Sequence, residues 1–368
     1  MTMMVSEETC TRKANIIFMK VNKTKALQRK KDHLKYALTG ETQIGNPGFD
    51  SYRFIHNALP EANFEDIDTT TQFLGKRVNY PFFVSCMTGG VLQGKTINRN
   101  LAKACQKFGV AMGVGSQRIA IEHSDLENLF TARDVAPDIP LLANIGLIQL
   151  NYGFGFKEYQ KCVDMIDADA LVVHINPIQE VIQPGGDRNW HGLINKLAKI
   201  VYKISVPIIV KEVGFGLSKD VVKRLYGIGI KMFDTAGWGG TNWAMVEGLR
   251  GKADRKLGTL FSSWGIPTTE SIKMCSEFRA SLPVKDKLRV VVLGSGGIRS
   301  GIDIAKALVL GADLAGVAAP FAQAALSSSE EALELMNRYA LELKTAMFGV
   351  GAKNITALKK THIISRHG

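Results

Sequence analysis

Eight short apolar stretches, each ending on glycine, serine, threonine, asparagine or another polar residue, recur along the chain with helix-like text between them. They are PFFVSCMTG from Pro81, AMGVGSQ from Ala111, PLLANIG from Pro140 and ALVVHIN from Ala170. PIIVKEVG from Pro207, MFDTAG from Met232, RVVVLGSGG from Arg289 and LAGVAAP from Leu314 follow. Their β-branched and aliphatic residues hardly alternate with polar ones, the pattern of parallel strands buried on both faces. Ile97–Phe108, Lys157–Ile166, Asp220–Ile228 and Ile302–Leu310 are predicted helices between them. Eight such strand–helix units within roughly 250 residues predict an α/β fold, the (β/α)8 TIM barrel, whose parallel eight-stranded sheet closes on itself. The competing arrangement is an open, doubly wound sheet with a dinucleotide fingerprint. GSGGIRSG does not supply one, because counted from Gly294 the third glycine of G-x-G-x-x-G falls on Arg299.

A chain of 368 residues accommodates one barrel domain, expected over 26–368, after a loosely ordered N-terminal extension over 1–25. That extension has no basic start, long apolar run or small-residue cleavage site, so no signal peptide is expected. No apolar run approaches the length of a spanning helix, and no membrane partner is expected. Cys10, Cys86, Cys105, Cys162 and Cys275 are scattered without a CxxC pair, which predicts a reducing, cytoplasmic location. The formal charge of +12 admits a nucleic-acid partner. However, the Lys and Arg residues are spread along the chain without interleaved aromatics, so attraction of a small anionic substrate is favoured.

In a TIM barrel the C-terminal strand ends gather at one mouth, and that mouth holds the active site. Backbone N–H groups after strands seven and eight form the usual phosphate site of such barrels. Gly296 and Gly297 allow close approach, Arg299 can pair with phosphate oxygens, and Ala318 and Ala319 add donors without crowding. Lys211, ending an apolar strand, can place a cation beside an electron-rich ring or act as a Schiff-base amine. Met87, Thr88, Gly89 and Asn144 suit the lining of such a ring. HINPIQE collects His174, Asn176, Gln179 and Glu180 within seven residues, and Glu180 is a candidate carboxylate for Mg²⁺. Without HExxH or Cys/His company, zinc is disfavoured. RKKDH, with Arg29, Lys30, Lys31 and His33, is either a solvated helix face or a lid that brings cations to a diphosphate.

RKKDH, MTGG, GVGSQR, ANIG, HINPIQE, IIVKEVGFG, DTAGWGGTNW, SSWGIPT, GSGGIRSG and LKTAMFGVGAKNITAL, in this order, resemble one family, the type 2 isopentenyl diphosphate isomerases. The resemblance implies a TIM barrel that moves the double bond between isopentenyl and dimethylallyl diphosphate using FMN and Mg²⁺. It assigns Met87, Thr88, Gly89, Ser116, Asn144, Lys211 and Thr241 to the flavin, and Gly297, Ile298, Arg299, Ala318 and Ala319 to its phosphate. Substrate contacts fall to Arg29, Lys30, His33, Ser116, Gln117, Arg118, Asn176 and Gln179, with Glu180 on Mg²⁺. The implied catalytic set is Gln179, Lys211 and Glu247, with Lys211 stabilising negative charge near N1 of a reduced flavin that exchanges protons at N5. Ala236 stands where some members carry serine. NADPH as reductant and a homotetramer or homo-octamer are further implications. The alternatives are an FMN barrel oxidoreductase acting on a small hydroxy acid, which expects a His–Arg pair at the strand ends, and a basic barrel that binds nucleic acid without catalysis.

Overall fold

The computed structural model describes residues 23–250 and 254–366, so residues 1–22 of the expected extension lie outside the described residues. Each of the eight apolar stretches supplies one strand: β1 (Phe82–Val84), β2 (Ala111–Gly113), β3 (Leu141–Gly146), β4 (Ala170–Ile175), β5 (Ile208–Glu212), β6 (Met232–Asp234), β7 (Val291–Ser295) and β8 (Leu314–Val317). They pair in parallel and in chain order, and β8 returns to β1 to close the barrel. The helices Phe156–Ile166, Lys219–Gly227 and Gly301–Val309 lie within one residue of their expected bounds. Leu92–Phe108 begins earlier than expected.

Strand periodicity sorts the interior into two layers. Phe83, Leu142, Val172, Ile209, Met232, Leu293 and Leu314 point inward and form one apolar cluster. Two residues further along each strand the same inward direction is taken by Ser85, Asn144, His174, Lys211, Asp234, Ser295 and Gly316. The barrel is therefore sealed by hydrocarbon below and lined by polar groups at its mouth. The residues facing the other way join the helices in two large outer clusters.

An antiparallel ribbon, Thr71–Phe73 with Lys76–Val78, closes the N-terminal end. Its Leu74–Gly75 turn holds φ of 52° and 76°, which matches the twist of a two-residue hairpin. Phe73 and Val78 belong to the interior apolar cluster, and the Phe73 ring stacks on Phe83 at 6.4 Å. The ribbon is thus the floor of the barrel, and burial of Phe73 is its main attachment. Phe73→Ala is expected to lower stability by about 3–5 kcal/mol, measured by urea denaturation.

Candidate active site

Two cavities open at the barrel mouth. The larger, about 1130 Å³ with its opening to solvent included, runs from the strand ends to the N-terminal helix over residues 23–37. The smaller, about 560 Å³, lies between the loops after β6, β7 and β8. Cys86, Met87, Lys211, Val213 and Trp243 line both, so the two are neighbouring compartments of one site.

Helical periodicity shapes the larger compartment from above. Ala26, Arg29, Lys30, His33, Leu34 and Ala37 all line it, and their spacing of three and four residues places them on one face of the helix. RKKDH is therefore a cover over the mouth, with three of its residues turned inward. Arg118 lines the same space and pairs with Asp187 at 2.7 Å and Glu122 at 2.8 Å. Burial lowers the Lys30 ammonium to about 7, helped by the nearby charges of Arg29 and Arg118, while Glu122 opposes. Lys30 Nζ donates to the Ser116 carbonyl at 2.9 Å. Burial likewise pulls the Arg29 guanidinium below its usual range. The compartment holds cations that lack full compensation, which is the condition for binding an anion.

The acidic side of the compartment grows from β4 and its following helix. Pro177 occupies the first turn of the helix Pro177–Ile182 and starts it directly after the strand. Asn176, Gln179 and Glu180 are thereby held at the mouth. Glu180 Oε1 accepts from Asn176 Nδ2 at 3.0 Å, and its Oε2 accepts from the Asp187 backbone N–H at 2.8 Å. Burial raises the Glu180 carboxyl above the usual range, with Asp187 adding to the shift against these hydrogen bonds and Arg29. Asn176 Oδ1 and Gln149 Oε1 are buried acceptors that receive no hydrogen bond. Asn176 and Gln149 both line the larger cavity with Glu180. One carboxylate with orphaned carbonyl oxygens fits Mg²⁺ that takes its remaining ligands from phosphate and water. No group of three or more His, Cys, Asp or Glu residues able to hold a metal exists among the described residues.

Behind Gln179 lies Glu247, with its side chain fully buried at 0% exposure. Asn242 caps the helix Trp243–Gly248 by accepting from the Met245 backbone N–H at 3.1 Å, which directs Glu247 inward. Glu247 Oε1 accepts from His33 Nε2 at 2.7 Å and from Gln179 Nε2 at 3.0 Å, and Oε2 accepts from Arg250. Burial pushes the Glu247 carboxyl up, but the His33 bond and the charges of His33 and Arg250 outweigh it, so the carboxylate lies below its usual range.

At the shared wall, Lys211 Nζ donates to the Glu212 carbonyl at 2.8 Å. Asp234 is the register partner of Lys211 across β5 and β6, and accepts from Ser295 Oγ at 2.5 Å. His174 Nδ1 donates to Asn144 Oδ1 at 2.9 Å. Burial, followed by the charges of Lys211, Lys30 and Arg118, depresses His174 to about 3, so the imidazole is neutral.

The smaller compartment has the form of a phosphate groove. Gly297 holds φ of 68°, and a Cβ there would strike the Gly239 carbonyl and the Pro47 ring. Only glycine lets these loops meet without a clash. Ala236, also on its wall, holds a left-handed φ of 35°, a strained position for a residue with a Cβ. The helix Ala319–Ser327 opens on the groove at its N-terminus, and Arg299 lines the side.

Among the expected cofactor residues, Met87, Thr88, Gly89, Ser116, Asn144 and Lys211 line the larger cavity. Thr241, Gly297, Ile298, Arg299, Ala318 and Ala319 line the smaller one. A ring bridging the shared wall with a phosphate tail in the glycine cradle fits this division. Of the expected substrate residues, Arg29, Lys30, His33, Ser116, Arg118, Asn176 and Gln179 line the larger cavity. Gln117 is placed elsewhere: its buried amide donates to the Cys162 carbonyl at 2.9 Å and accepts from the Asn144 backbone N–H at 2.8 Å. It braces β3 and lines neither cavity, unlike the other expected substrate residues. Glu247 does not line the cavity and touches it through Gln179 and His33. The sequence reading missed Cys86, Gln149, Gln183 and Trp243 in the cavity walls. Two of them lay in quoted strand ends, Cys86 in PFFVSCMTG and Trp243 as the terminal aromatic of DTAGWGGTNW.

A family model described as FMN-dependent dehydrogenase matches residues 39–128 and 186–365. The chain is 44% identical over 348 residues to the isopentenyl-diphosphate delta-isomerase of Rickettsia felis, covering 94% of this chain and 99% of that one. Identity to the protein of the same description from Rickettsia bellii is 46% over 344 residues, covering 93% and 98%. Among solved structures, a flavocytochrome b2 mutant aligns with a TM-score of 0.65 at 16% identity, covering 94% of this chain and 85% of that chain. A mandelate oxidase mutant with (S)-mandelic acid gives 0.59 at 16% identity, covering 94% and 98%. These structural likenesses show a common fold.

Glu247→Ala would strip the common acceptor from His33, Gln179 and Arg250. A loss of about 3–5 kcal/mol is expected, read from chemical denaturation.

Proposed function

The chain belongs to the type 2, FMN-dependent isopentenyl-diphosphate delta-isomerases, and from that membership we propose how its own residues carry the interconversion of isopentenyl and dimethylallyl diphosphate. The reaction adds a proton at one carbon and removes another two carbons away, with no net redox change. One observation supports the assignment of roles most strongly. A cation-bearing helix face and an acidic cluster lie across one compartment, whose inner wall is shared with a glycine-built phosphate groove.

Arg29, Lys30 and Arg118 bind the diphosphate of the substrate, and Glu180 holds Mg²⁺ against it, with Asn176 Oδ1 as the nearby free acceptor. This grip lies remote from the alkene, so its binding energy serves to orient the hydrocarbon end. Met87, Val213 and Trp243 form the wall toward which that end extends. A cation-like transition state is stabilised by an aromatic ring in such a wall. Met87, Thr88, Gly89, Ser116, Asn144, Lys211 and Thr241 would hold reduced FMN, which would supply the acid–base chemistry of the proton shift. Lys211 sets positive charge beside the ring, and Gly297, Ile298, Arg299, Ala318 and Ala319 hold the phosphate tail. Gln179 sits at the reacting end with its amide orientation fixed from both sides: its Nε2 donates to Glu247 and its Oε1 accepts from Asn176 at 3.1 Å. His33 and the helix it belongs to exclude water above this pair.

NADPH as reductant, a single domain over 26–368, a homotetramer or homo-octamer and a cytoplasmic location belong to the same reading. No helix among the described residues is long and apolar enough to cross a membrane.

An anaerobic assay tests the whole. Isomerisation is expected only with FMN, a reductant and Mg²⁺ together, and activity of the flavin-stripped protein would refute the reading. The Lys30 ammonium, at about 7 in the free protein, generates a second expectation. Binding of the diphosphate needs its charged form, so kcat/KM falls as pH rises through this value. In Lys30→Arg, whose guanidinium stays charged, the alkaline limb moves upward, as a pH–rate profile would record.

A further inference from the structure

We propose that Gln43 is a positioning residue that couples phosphate binding in the smaller cavity to docking of the cationic helix over the larger one. The proposal rests on the reading of the two cavities as cofactor-phosphate and substrate-diphosphate compartments. Gln43 lies just beyond the helix over 23–37 and outside the lining of either cavity, yet its one amide touches the walls of both. Its Nε2 donates to the Ala37 carbonyl at 3.1 Å, in the last turn of the helix, and to Thr241 Oγ1 at 2.9 Å. Its Oε1 accepts from Arg299 Nη2. Ala37 lines the larger cavity, whereas Thr241 and Arg299 line the smaller.

The backbone on either side reinforces the same link. The Asn242 N–H donates to the Thr42 carbonyl at 2.8 Å, and the Ile44 N–H donates to the Gly240 carbonyl at 3.1 Å. Thr42 Oγ1 donates to the Tyr36 carbonyl at 2.7 Å. Gln43 and Thr241 form an isolated antiparallel bridge, so the segment after the helix is stitched to the loop that carries Thr241. FMN held with its phosphate at Arg299 and the rest of the flavin at Thr241 would fix two of the three partners of Gln43. The amide is then pre-ordered to hold Ala37, and the helix docks at a lower entropic cost. Linkage makes the effect mutual: a diphosphate that holds the helix down must tighten FMN by the same factor.

The test uses holoenzyme, with FMN affinity measured by recovery of free-flavin fluorescence on dilution, with and without magnesium pyrophosphate as the probe. In the unaltered protein pyrophosphate is expected to tighten FMN by about fivefold or more. In Gln43→Ala the ratio falls toward one. Gln43→Glu keeps an acceptor for Arg299 but has no N–H for the Ala37 carbonyl. It should retain FMN affinity and still lose the ratio, and it carries the test if the alanine variant fails to fold. In steady state either variant should raise KM for the diphosphate with kcat held within about twofold, the mark of lost uniform binding. A ratio near one in the unaltered protein, or a ratio undiminished in Gln43→Glu, overturns the coupling. Titration of pyrophosphate into the holoenzyme separates the failures. Binding without the ratio overturns the coupling alone, whereas no binding overturns the diphosphate reading and the coupling with it.

Discussion

Closure of eight parallel strands obliges every second side chain to point into a space that has no solvent below it. The lower layer meets that demand with Phe83, Leu142, Val172, Ile209 and their neighbours, and the plug of Phe73 completes it. One step up the same strands, Asn144, His174, Lys211, Asp234 and Ser295 are committed to the interior by the same periodicity. Their polarity is tolerable only because they satisfy one another: Ser295 donates to Asp234, and His174 donates to Asn144. Burying Lys211 and Asp234 in adjacent strands is costly, and the attraction between them offsets part of that cost. The apolar layer supplies stability, and the layer above it spends some on chemistry.

Electrostatics at the mouth follows the same division. Arg118 has two carboxylate partners, Glu122 and Asp187, and is held in place by them. Lys30 has a backbone carbonyl and two neighbouring cations, a poor exchange for the water it has lost. The deficit is recovered when a multiply charged anion enters. Glu247 is the fixed point against which this unstable array is arranged: it receives hydrogen bonds from the covering helix through His33, from the floor of the site through Gln179 and from its own helix through Arg250. His33 donating to an ionised Glu247 anchors the helix, and burial lowers the tendency of His33 to carry charge of its own. Positive potential is thereby kept where a diphosphate would lie.

What the sequence made legible was set by period. The strands were readable because parallel burial leaves an unbroken apolar run, and the mouth was readable because each run ends in residues that stability alone does not require. The cationic face of the covering helix was also written in spacing, since Ala26, Arg29, Lys30, His33, Leu34 and Ala37 recur at three and four residues. That spacing suits a solvated helix equally well, and only docking through His33 and Gln43 decides between the two. Gln117 shows the converse. It adjoins the cavity residues Ser116 and Arg118 in sequence, but the chain turns between them, and its amide enters the wall behind β3. Pairings over long sequence separations, such as His33 with Glu247 or Gln43 with Arg299, leave no local trace. Neither does the Leu74–Gly75 hairpin, whose strands are too short to announce themselves.

A fold shared with a flavocytochrome b2 and a mandelate oxidase sharpens the question of why this site performs an isomerisation. Oxidation of a hydroxy acid calls for a base that accepts a proton readily and a cation that pairs with one carboxylate. His174 occupies an inward strand-end position, but three cations and deep burial leave it near 3, and its Nδ1 faces an amide instead of a carboxylate. Among the described residues no carboxylate pairs with it, so it is a weak base where oxidation would need a strong one. The cations are also too many for one carboxylate, with Arg29, Lys30 and Arg118 all around the same compartment. That surplus suits an anion with more charge than one carboxylate, such as a diphosphate. In this barrel the usable positive charge thus lies not on the β4 histidine but on a helix laid across the mouth.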